Sequence, residues 1–302
     1  MTKPAPGMDH DLYRYLAMPA RPKLSWPKGE RLAFYVLLHL EFWELEPPEG
    51  TRSDPRFKGP RGDFFPDYRY FTQREYGNRI GIFRVLELLD KHGIRATVAA
   101  NAGACERYPN LIEACLKRGY EIVAHGDYQT RMITSEMSEQ DERDVIGRTT
   151  EIVQNAVGQR PTGWLGVDSN ESTRTPQLLA EAGYDYQLDW PNDDQPYMMT
   201  TDPALVAIPN QMEWDDVNAL WIRHVPNPRY PGLIAEAFRT LREEGLENGM
   251  LFSLPLHPWV IGQPHRIRYL AEALEDICAF GGVWQATAGE IARHYRAQGQ
   301  GA

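Results

Sequence analysis

The sequence contains little cysteine, and its cysteines form no pattern. Cys105, Cys115 and Cys278 are the three in 302 residues, and no CxxC pair occurs. An odd number of widely spaced cysteines is inconsistent with a disulfide framework or a thiolate metal site. A reducing compartment is the simplest interpretation, so we expect a cytoplasmic protein.

Positive charge and long apolar runs are scarce as well. Lys and Arg number 32 against 42 Asp and Glu, which gives a net charge of −10. Nucleic-acid binders and proteins of anionic membranes need a basic face, so we expect neither partner. The longest apolar run, residues 32–38, falls far short of the roughly 20 residues that span a bilayer. These absences leave a neutral or small molecule as the expected partner.

Several catalytic and nucleotide-binding motifs are missing. No GxGxxG follows the first apolar stretch, and no GxxxxGK[ST], HExxH or GxSxG occurs anywhere. Without them, dinucleotide-binding, P-loop, zincin and α/β-hydrolase mechanisms lose their main support.

What the sequence does contain is a sustained alternation of strand and helix patterns. The predicted strands are residues 31–43, 94–100, 120–124, 162–165, 184–188, 205–208, 250–256 and 283–285. The predicted helices are residues 75–92, 105–118, 139–157, 176–182, 233–244, 267–280 and 288–297. This alternation is typical of a parallel α/β sheet, open or closed, and we predict a distorted (β/α) barrel.

We predict one catalytic domain over residues 1–302, with an N-terminal extension at residues 1–30. A lid-like insertion is predicted at residues 44–72, which are rich in Pro, Gly and Arg. This segment is too long for an ordinary connection and too irregular for a helix, so we interpret it as a functional loop that closes over a ligand.

Candidate catalytic residues follow from the rule that barrel active sites lie at the carboxyl ends of the strands. Glu41, His125, Asp189 and His257 occupy such positions. Burial at the end of an apolar strand would raise the pKa of Glu41 toward the range of a general base. Imidazoles there can polarise a carbonyl, protonate a leaving nitrogen or bind a metal. The alternatives are a solvated acid paired with an arginine, and core histidines bonded to backbone carbonyls.

Further polar and aromatic residues follow the same strands or lie on them. The predicted substrate-binding set is Asp127, Gln129, Trp164, Trp190, Asp194 and Trp259. The competing interpretation is that the tryptophans pack in the core and that the segment DWPNDDQPY forms a turn network. We interpret His39 as structural and Asp168 as a weaker candidate.

The motifs around these residues resemble the NodB-type polysaccharide deacetylase superfamily over nearly the whole chain, which implies its distorted (β/α) barrel. The family motif TFDDG aligns with residues 39–42, so that Glu41 fills the base position and Phe42 the position of a metal-binding Asp. The HxxxH motif aligns with His125 to Gln129 and keeps one histidine, while the late Leu-x-His motif survives at His257. The resemblance therefore implies that two of the three metal ligands of the family are absent.

Longer segments resemble the allantoinase and cyclic-imide hydrolase branch of that superfamily. They are REYGNRIGIFRVLELLDKHGIRATVAAN, GQRPTGWLG, DWPNDDQPY and LHPWVIGQPHRIRYL. The resemblance implies a hydrolase, a homo-oligomer, that opens a C–N bond of a small cyclic amide such as a hydantoin, ureide or imide.

The chemistry of such rings agrees with a site that has lost metal ligands. A second carbonyl next to the ring nitrogen stabilises that nitrogen as it leaves, so a base, an acid and oxyanion donors suffice. We expect no cofactor, with Glu41 activating water and His125 or His257 acting on the oxyanion or the leaving nitrogen. Asp189 and Asp194 are expected to orient the ring.

Two alternative functions stay open at this point. One is a metal-dependent N-deacetylase of a carbohydrate, in which Glu41, His125 and His257 would hold zinc or another divalent metal. The other is a non-catalytic, ligand-binding member of the family.

Overall fold

The computed structural model describes residues 9–57 and 64–299, in which strands and helices alternate. The strands are β1 (Leu32–Leu40), β2 (Thr97–Ala100), β3 (Glu121–Ala124), β4 (Gly163–Trp164), β5 (Tyr186–Gln187), β6 (Tyr197–Met198), β7 (Val206–Ala207), β8 (Met250–Leu256) and β9 (Val283–Gln285). The helices are α1 (Tyr68–Tyr76), α2 (Ile82–Lys91), α3 (Ala102–Arg107), α4 (Pro109–Leu116), α5 (Glu139–Val157), α6 (Thr175–Glu181), α7 (Tyr230–Glu244), α8 (Pro258–Ile261), α9 (Ile267–Cys278) and α10 (Ala288–Ala297). Residues 1–8 of the predicted extension and residues 58–63 of the predicted lid lie outside the described residues.

The strands form one curled sheet in the order β6-β7-β5-β4-β3-β2-β1-β8, with β9 paired to the start of β1. Every pairing is parallel except that of β6 with β7. The predicted α/β barrel is confirmed in the form of a curled half-barrel. Because the strands run the same way, their carboxyl ends meet at one edge of the sheet.

The strand β1 is buried on both faces, as its largely apolar sequence predicts. Leu32, Phe34 and Leu38 belong to the hydrophobic cluster between the sheet and its helices, whereas Ala33, Tyr35 and Leu37 belong to the cluster on the inner face. Side chains alternate between the faces of a strand, so the inner row continues upward into His39 and Glu41. The polar residues therefore begin where the inner apolar row ends.

The lower end of the half-barrel is closed by the N-terminal segment and the last helix. Leu24, Trp26, Ile291 and Tyr295 join the inner hydrophobic cluster, and the Trp26 indole N–H donates to the Met250 carbonyl at 2.7 Å. The polar residues at the end of the inner row therefore lie at the other end of the half-barrel, away from this closed end.

Two predicted helices are divided in the structure. The segment predicted as one helix at residues 75–92 is interrupted by a π-helical turn at Gly77–Gly81, between α1 and α2. A Cβ atom at Gly77 would lie 2.7 Å from the Trp259 backbone nitrogen, so close packing on α8 requires glycine there. The predicted helix at residues 105–118 is likewise replaced by α3 and α4, with Pro109 at the first position of α4.

The cysteines agree with the expectation from the sequence. Cys105 and Cys115 are buried, Cys278 is exposed, and all three are free thiols. Within residues 9–57 and 64–299, the helices are all too short or too polar to cross a membrane.

Candidate active site

A small cavity of about 50 Å³ opens at the carboxyl end of the sheet. Its wall includes His39 of β1, Glu41 directly after that strand, and His125, Gln129, Asp168 and His257 from the segments that follow β3, β4 and β8. Asn210, from the segment after β7, lines it as well, together with Asp215 and Asn218. The predicted lid reaches it too, because Arg56 lines its wall. Glu41, His125 and His257, which were predicted from their positions at strand ends, thus lie in the wall of one cavity.

The carboxylate of Glu41 lies among three imidazoles. Its Oε1 atom is 3.3 Å from His39 Nδ1, 3.8 Å from His125 Nε2 and 3.7 Å from His257 Nε2, and Oε2 accepts from the Trp43 indole at 3.2 Å. Burial by itself would raise the pKa of Glu41, but the hydrogen bonds and charges of the histidines outweigh it and hold that pKa well below its usual value. The predicted net rise of this pKa toward the range of a general base is therefore wrong, and Glu41 is ionised at neutral pH.

His39 belongs to the site, contrary to its interpretation as structural. Its ring stacks on that of His257 with centroids 3.8 Å apart, and its Nε2 atom has no hydrogen-bond partner among the described residues. Burial and the neighbouring charge of His257 lower the pKa of His39 to about 3, so this ring is neutral. A signal was available in the sequence, since His39 and Glu41 are two residues apart and share one face of β1.

His257 is held by two aspartates that precede a π-helical segment at Val217–Ile222. Its Nδ1–H donates to Asp216 Oδ1 at 2.7 Å, its backbone N–H donates to the same carboxylate at 2.9 Å, and Asp215 Oδ2 is 3.8 Å away. Although burial lowers the pKa of His257, the two carboxylates raise it to about 10. His257 is therefore an imidazolium at neutral pH. Sequence reasoning missed both aspartates, because they lie in an irregular segment.

His125 fits both interpretations offered for it. Its Nδ1 atom is 2.9 Å from the Leu165 carbonyl oxygen, as in a core histidine, and its ring also lines the cavity. With Nδ1 donating to that carbonyl, Nε2 is the atom that faces Glu41.

Asp189 does not line the cavity. It is buried, and its Oδ1 atom accepts a hydrogen bond from the backbone N–H of Gly166 at 2.5 Å. Burial raises its pKa to about 6 and that of the neighbouring Glu171 well above its usual value. Its position does not support the predicted roles in catalysis and ring orientation. Instead, Asp189 holds the turn that follows β4.

Gln129 lines the cavity as predicted, whereas Asp127 and Asp194 do not. The carboxylate of Asp127 is turned toward α5, where Thr149 donates to it at 2.9 Å and Arg148 pairs with it. Asp194 accepts from Gln211 at 3.2 Å. These two acids stabilise loops and helices rather than contact a ligand in this cavity.

The three tryptophans predicted to bind substrate are packing residues. Trp164 lies in the cluster between sheet and helices, with its ring 5.5 Å from that of Tyr184. Trp190 donates to Glu171 at 3.0 Å, and Trp259 is buried beneath the Arg74 guanidinium at 3.8 Å. The competing interpretation given for the tryptophans describes their positions better.

A first prediction concerns the turn held by Asp189. A Cβ atom at Gly166 would lie 2.6 Å from the Asn170 carbonyl oxygen and 2.8 Å from Asp189 Oδ1. Gly166→Ala should therefore lower the free energy of unfolding by about 1–3 kcal/mol, because the backbone must shift. Denaturant titration measures this.

The matched control for that prediction is Gly147→Ala. A Cβ atom at Gly147 meets nothing within 4 Å, and this glycine lies inside α5. The control should gain about 0.5–1 kcal/mol from the better helix propensity of alanine. Equal stabilities for the two variants would contradict the assignment of the turn.

Among residues 9–57 and 64–299, two groups of side chains could hold a metal: His39 with Glu41 and His257, and Asp215 with Asp216 and His257. In the first group the two ring planes are stacked at 20° with centroids 3.8 Å apart, so one ion cannot lie in the planes of both rings, where their nitrogen lone pairs point. In the second group the carboxylates already accept hydrogen bonds from the backbone and from His257.

The metal position that the family resemblance implies is also altered. Phe42 supplies no ligand atom there, and its ring lies 4.5 Å beneath the Arg107 guanidinium. Gln129 supplies an amide, whose nitrogen donates to Asp168 at 3.1 Å. The donor set therefore does not fit the three-ligand site of the family.

A half-barrel with an ionised carboxylate and three histidines at its carboxyl edge defines a hydrolase-type site. The family pattern described as polysaccharide deacetylase matches residues 76–187. A Schizosaccharomyces pombe protein that carries the same name is 29% identical over 245 residues, which cover 74% of this chain and 75% of that protein. A peptidoglycan deacetylase of Helicobacter pylori is 24% identical over 250 residues, 72% of this chain and 84% of that protein.

Solved structures extend the likeness to nearly the full length. PuuE allantoinase superposes with a TM-score of 0.85 and 27% identity over 98% of this chain and 99% of that chain. A Pseudomonas aeruginosa protein described as a polysaccharide deacetylase gives a TM-score of 0.82 and 27% identity over 93% and 96%. Residues 76–187 therefore carry a polysaccharide deacetylase domain, and the chain is similar over nearly its full length to NodB-type proteins, whose deacetylase and allantoinase-like members are hydrolases of C–N bonds.

Proposed function

We propose that this protein hydrolyses a C–N bond of a small cyclic amide, a hydantoin, ureide or imide, with Glu41 as the general base. The observation that carries the proposal is the ionised Glu41 carboxylate among three histidines in one cavity. The resemblance adds that Phe42 and Gln129 stand at the positions of two metal ligands of the family. The likeness to an allantoinase over nearly the full length of both chains supports the same substrate class.

In the proposed reaction, Glu41 accepts a proton from a water molecule that attacks the ring carbonyl. The positive charge of His257, whose Nε2 atom is 3.7 Å from Glu41 Oε1, stabilises the oxyanion that forms. Because Asp215 and Asp216 hold the pKa of His257 near 10, this residue keeps its proton and acts through its charge. His39 remains neutral and supports the His257 ring by stacking.

A cyclic amide suits these groups better than an ordinary acetamide. In a hydantoin or imide the leaving nitrogen is conjugated to a second carbonyl, which spreads its developing negative charge. An acetamide lacks this help, so its hydrolysis depends more on the polarisation of the carbonyl by a metal. The donor set described above supplies a base and a cation but not the family's three ligands.

The test is hydrolysis of a panel of hydantoins, cyclic ureides and cyclic imides, together with an N-acetylated chitooligosaccharide, before and after treatment with a chelator. We expect ring opening that survives chelation, with metal content well below one equivalent by elemental analysis. A full equivalent of metal, ring opening abolished by chelation and release of acetate from the oligosaccharide would instead identify a metal-dependent deacetylase.

A further inference from the structure

The turn after β4 places the carboxyl group of Asp168 in the cavity, and its backbone adopts an unfavourable conformation there. Asp168 and Ser169 have φ angles of 53° and 52°, in the left-handed region that non-glycine residues seldom adopt. The turn is held by the Ser169 N–H bond to the Gly166 carbonyl at 3.0 Å and by the Asp189 bond to Gly166. Strained residues of this kind persist where the surrounding structure fixes them, and they concentrate at functional sites.

The two oxygens of Asp168 have different surroundings. Oδ1 accepts from the Gln129 side-chain N–H at 3.1 Å, whereas Oδ2 is shielded from solvent and has no hydrogen-bond partner among the described residues. A proton on this carboxyl group therefore belongs on Oδ2, the oxygen that is free to donate. Both Asp168 and Gln129 line the same cavity as Glu41.

The charges that face Asp168 favour its protonated form. Burial, the Glu41 carboxylate and the Asp54 carboxylate raise the pKa of Asp168 to about 7, against the opposing effects of His125 and Arg56. Glu41, in contrast, has a pKa well below its usual value. A pair of carboxyl groups in one site with pKa values pushed apart is the usual arrangement of an acid and a base.

We propose that Asp168 is the proton donor of the reaction and that Gln129 is the residue that positions it. This inference rests on the proposed function. Gln129 lies where the family resemblance places a second metal-binding histidine, so in this chain that position orients an acid instead.

The proposed reaction consumes one water molecule and moves one proton through each carboxyl group. A water oxygen bonds to the ring carbonyl carbon and gives one proton to Glu41, and the C–N bond then breaks as the Oδ2 proton of Asp168 passes to the ring nitrogen. The products are a carboxylic acid and the N–H of an amide or urea group, with Glu41 protonated and Asp168 ionised. Transfer of one proton from Glu41 to Asp168 through water restores the starting state.

The experiment compares wild type with Asp168→Asn in the full chain, using a hydantoin as substrate. In wild type, kcat should fall tenfold for each pH unit above about 7, the pH at which Asp168 ionises. In Asp168→Asn, kcat should be reduced by a factor of about 100 or more, and the decline of kcat at alkaline pH should disappear. The exposed Asp144→Asn is the matched control and should keep both the rate and the decline.

An independent readout is the infrared band of a protonated carboxyl group. Because Asp189 and Glu171 also have raised pKa values, the readout is the difference between wild type and Asp168→Asn. We expect wild type to show an additional component that is lost around pH 7 and that Asp168→Asn lacks. Glu41→Gln should move its loss to lower pH, because one of the negative charges that raise the pKa is removed. In Gln129→Leu, the rate should fall while the band persists.

The outcomes separate this inference from the proposed function. Ring opening by Asp168→Asn with an unchanged rate and an unchanged alkaline decline would overturn the role of Asp168 and leave the proposed function intact. Identical carboxyl bands in wild type and Asp168→Asn across this pH range would overturn it as well. If no ring substrate is opened by wild type, the proposed function and the proton donor both fail.

Discussion

Glu41→Gln should lower kcat for ring opening by a factor of about 10³ or more, while the dissociation constant of a ring ligand changes little. The amide has nearly the same shape as the carboxylate and still accepts from Trp43, but it cannot take a proton from water. Steady-state kinetics and calorimetric titration with a slowly hydrolysed ring analogue measure the two effects separately.

The control for this variant is Glu46→Gln, which changes an exposed glutamate a few residues further along the chain. Its kcat should match that of wild type. If Glu41→Gln retains substantial turnover, Glu41 is not the base, and the ionised carboxylate would have to act by electrostatic stabilisation alone.

Asp216→Asn is expected to have the second largest effect, on activity and on stability. Asp216 is fully buried and pairs with the imidazolium of His257, so loss of its charge should lower the free energy of unfolding by about 3 kcal/mol at neutral pH. The pKa of His257 should fall, and the neutral ring no longer stabilises an oxyanion. We expect kcat at neutral pH to drop by about 10² and to recover partly toward acid pH, where His257 regains its proton.

The pH dependence of the stability difference has a definite sign. The pKa of His257 is raised from 6.5 to about 10 in the folded protein. The stabilisation that this shift reflects is fully present below pH 6.5 and is lost as the pH rises through about 10. Denaturant titrations should therefore give a large gap between wild type and Asp216→Asn at neutral pH and a narrower gap above pH 10. The exposed Asp276→Asn should show no gap, and a pH-independent gap would contradict a charged His257.

Much of the fold was predictable because each element carries a local signal. The strand at Met250–Leu256 and the helices at Glu139–Val157 and Ala288–Ala297 match the predicted boundaries. Their ends are marked by residues such as Ser138, whose side chain accepts from the Asp141 N–H. The π-helical segments were not predicted, since they depend on contacts with distant parts of the chain.

Several errors in the candidate site, those at Trp164, Asp189 and His39, share one physical cause, the alternation of side chains along a strand. Position at a strand end was used without asking which face the side chain occupies. Leu165 and Leu188 belong to the inner cluster, so the adjacent Trp164 and Asp189 face the other way. The same alternation places His39 on the inner face, because it lies two residues from Glu41.

Apolar periodicity and strand direction are local properties of the chain. The sequence alone therefore specifies the parallel α/β architecture and the meeting of Glu41, His125 and His257 at one edge of the sheet. Only the tertiary structure decided the charges of these groups, since a pKa depends on the sum of burial and of every neighbouring charge. Asp215, Asp216 and Asp168 enter the site from irregular segments that no periodic pattern marks. Packing against residues far away in sequence is what positions them beside the base.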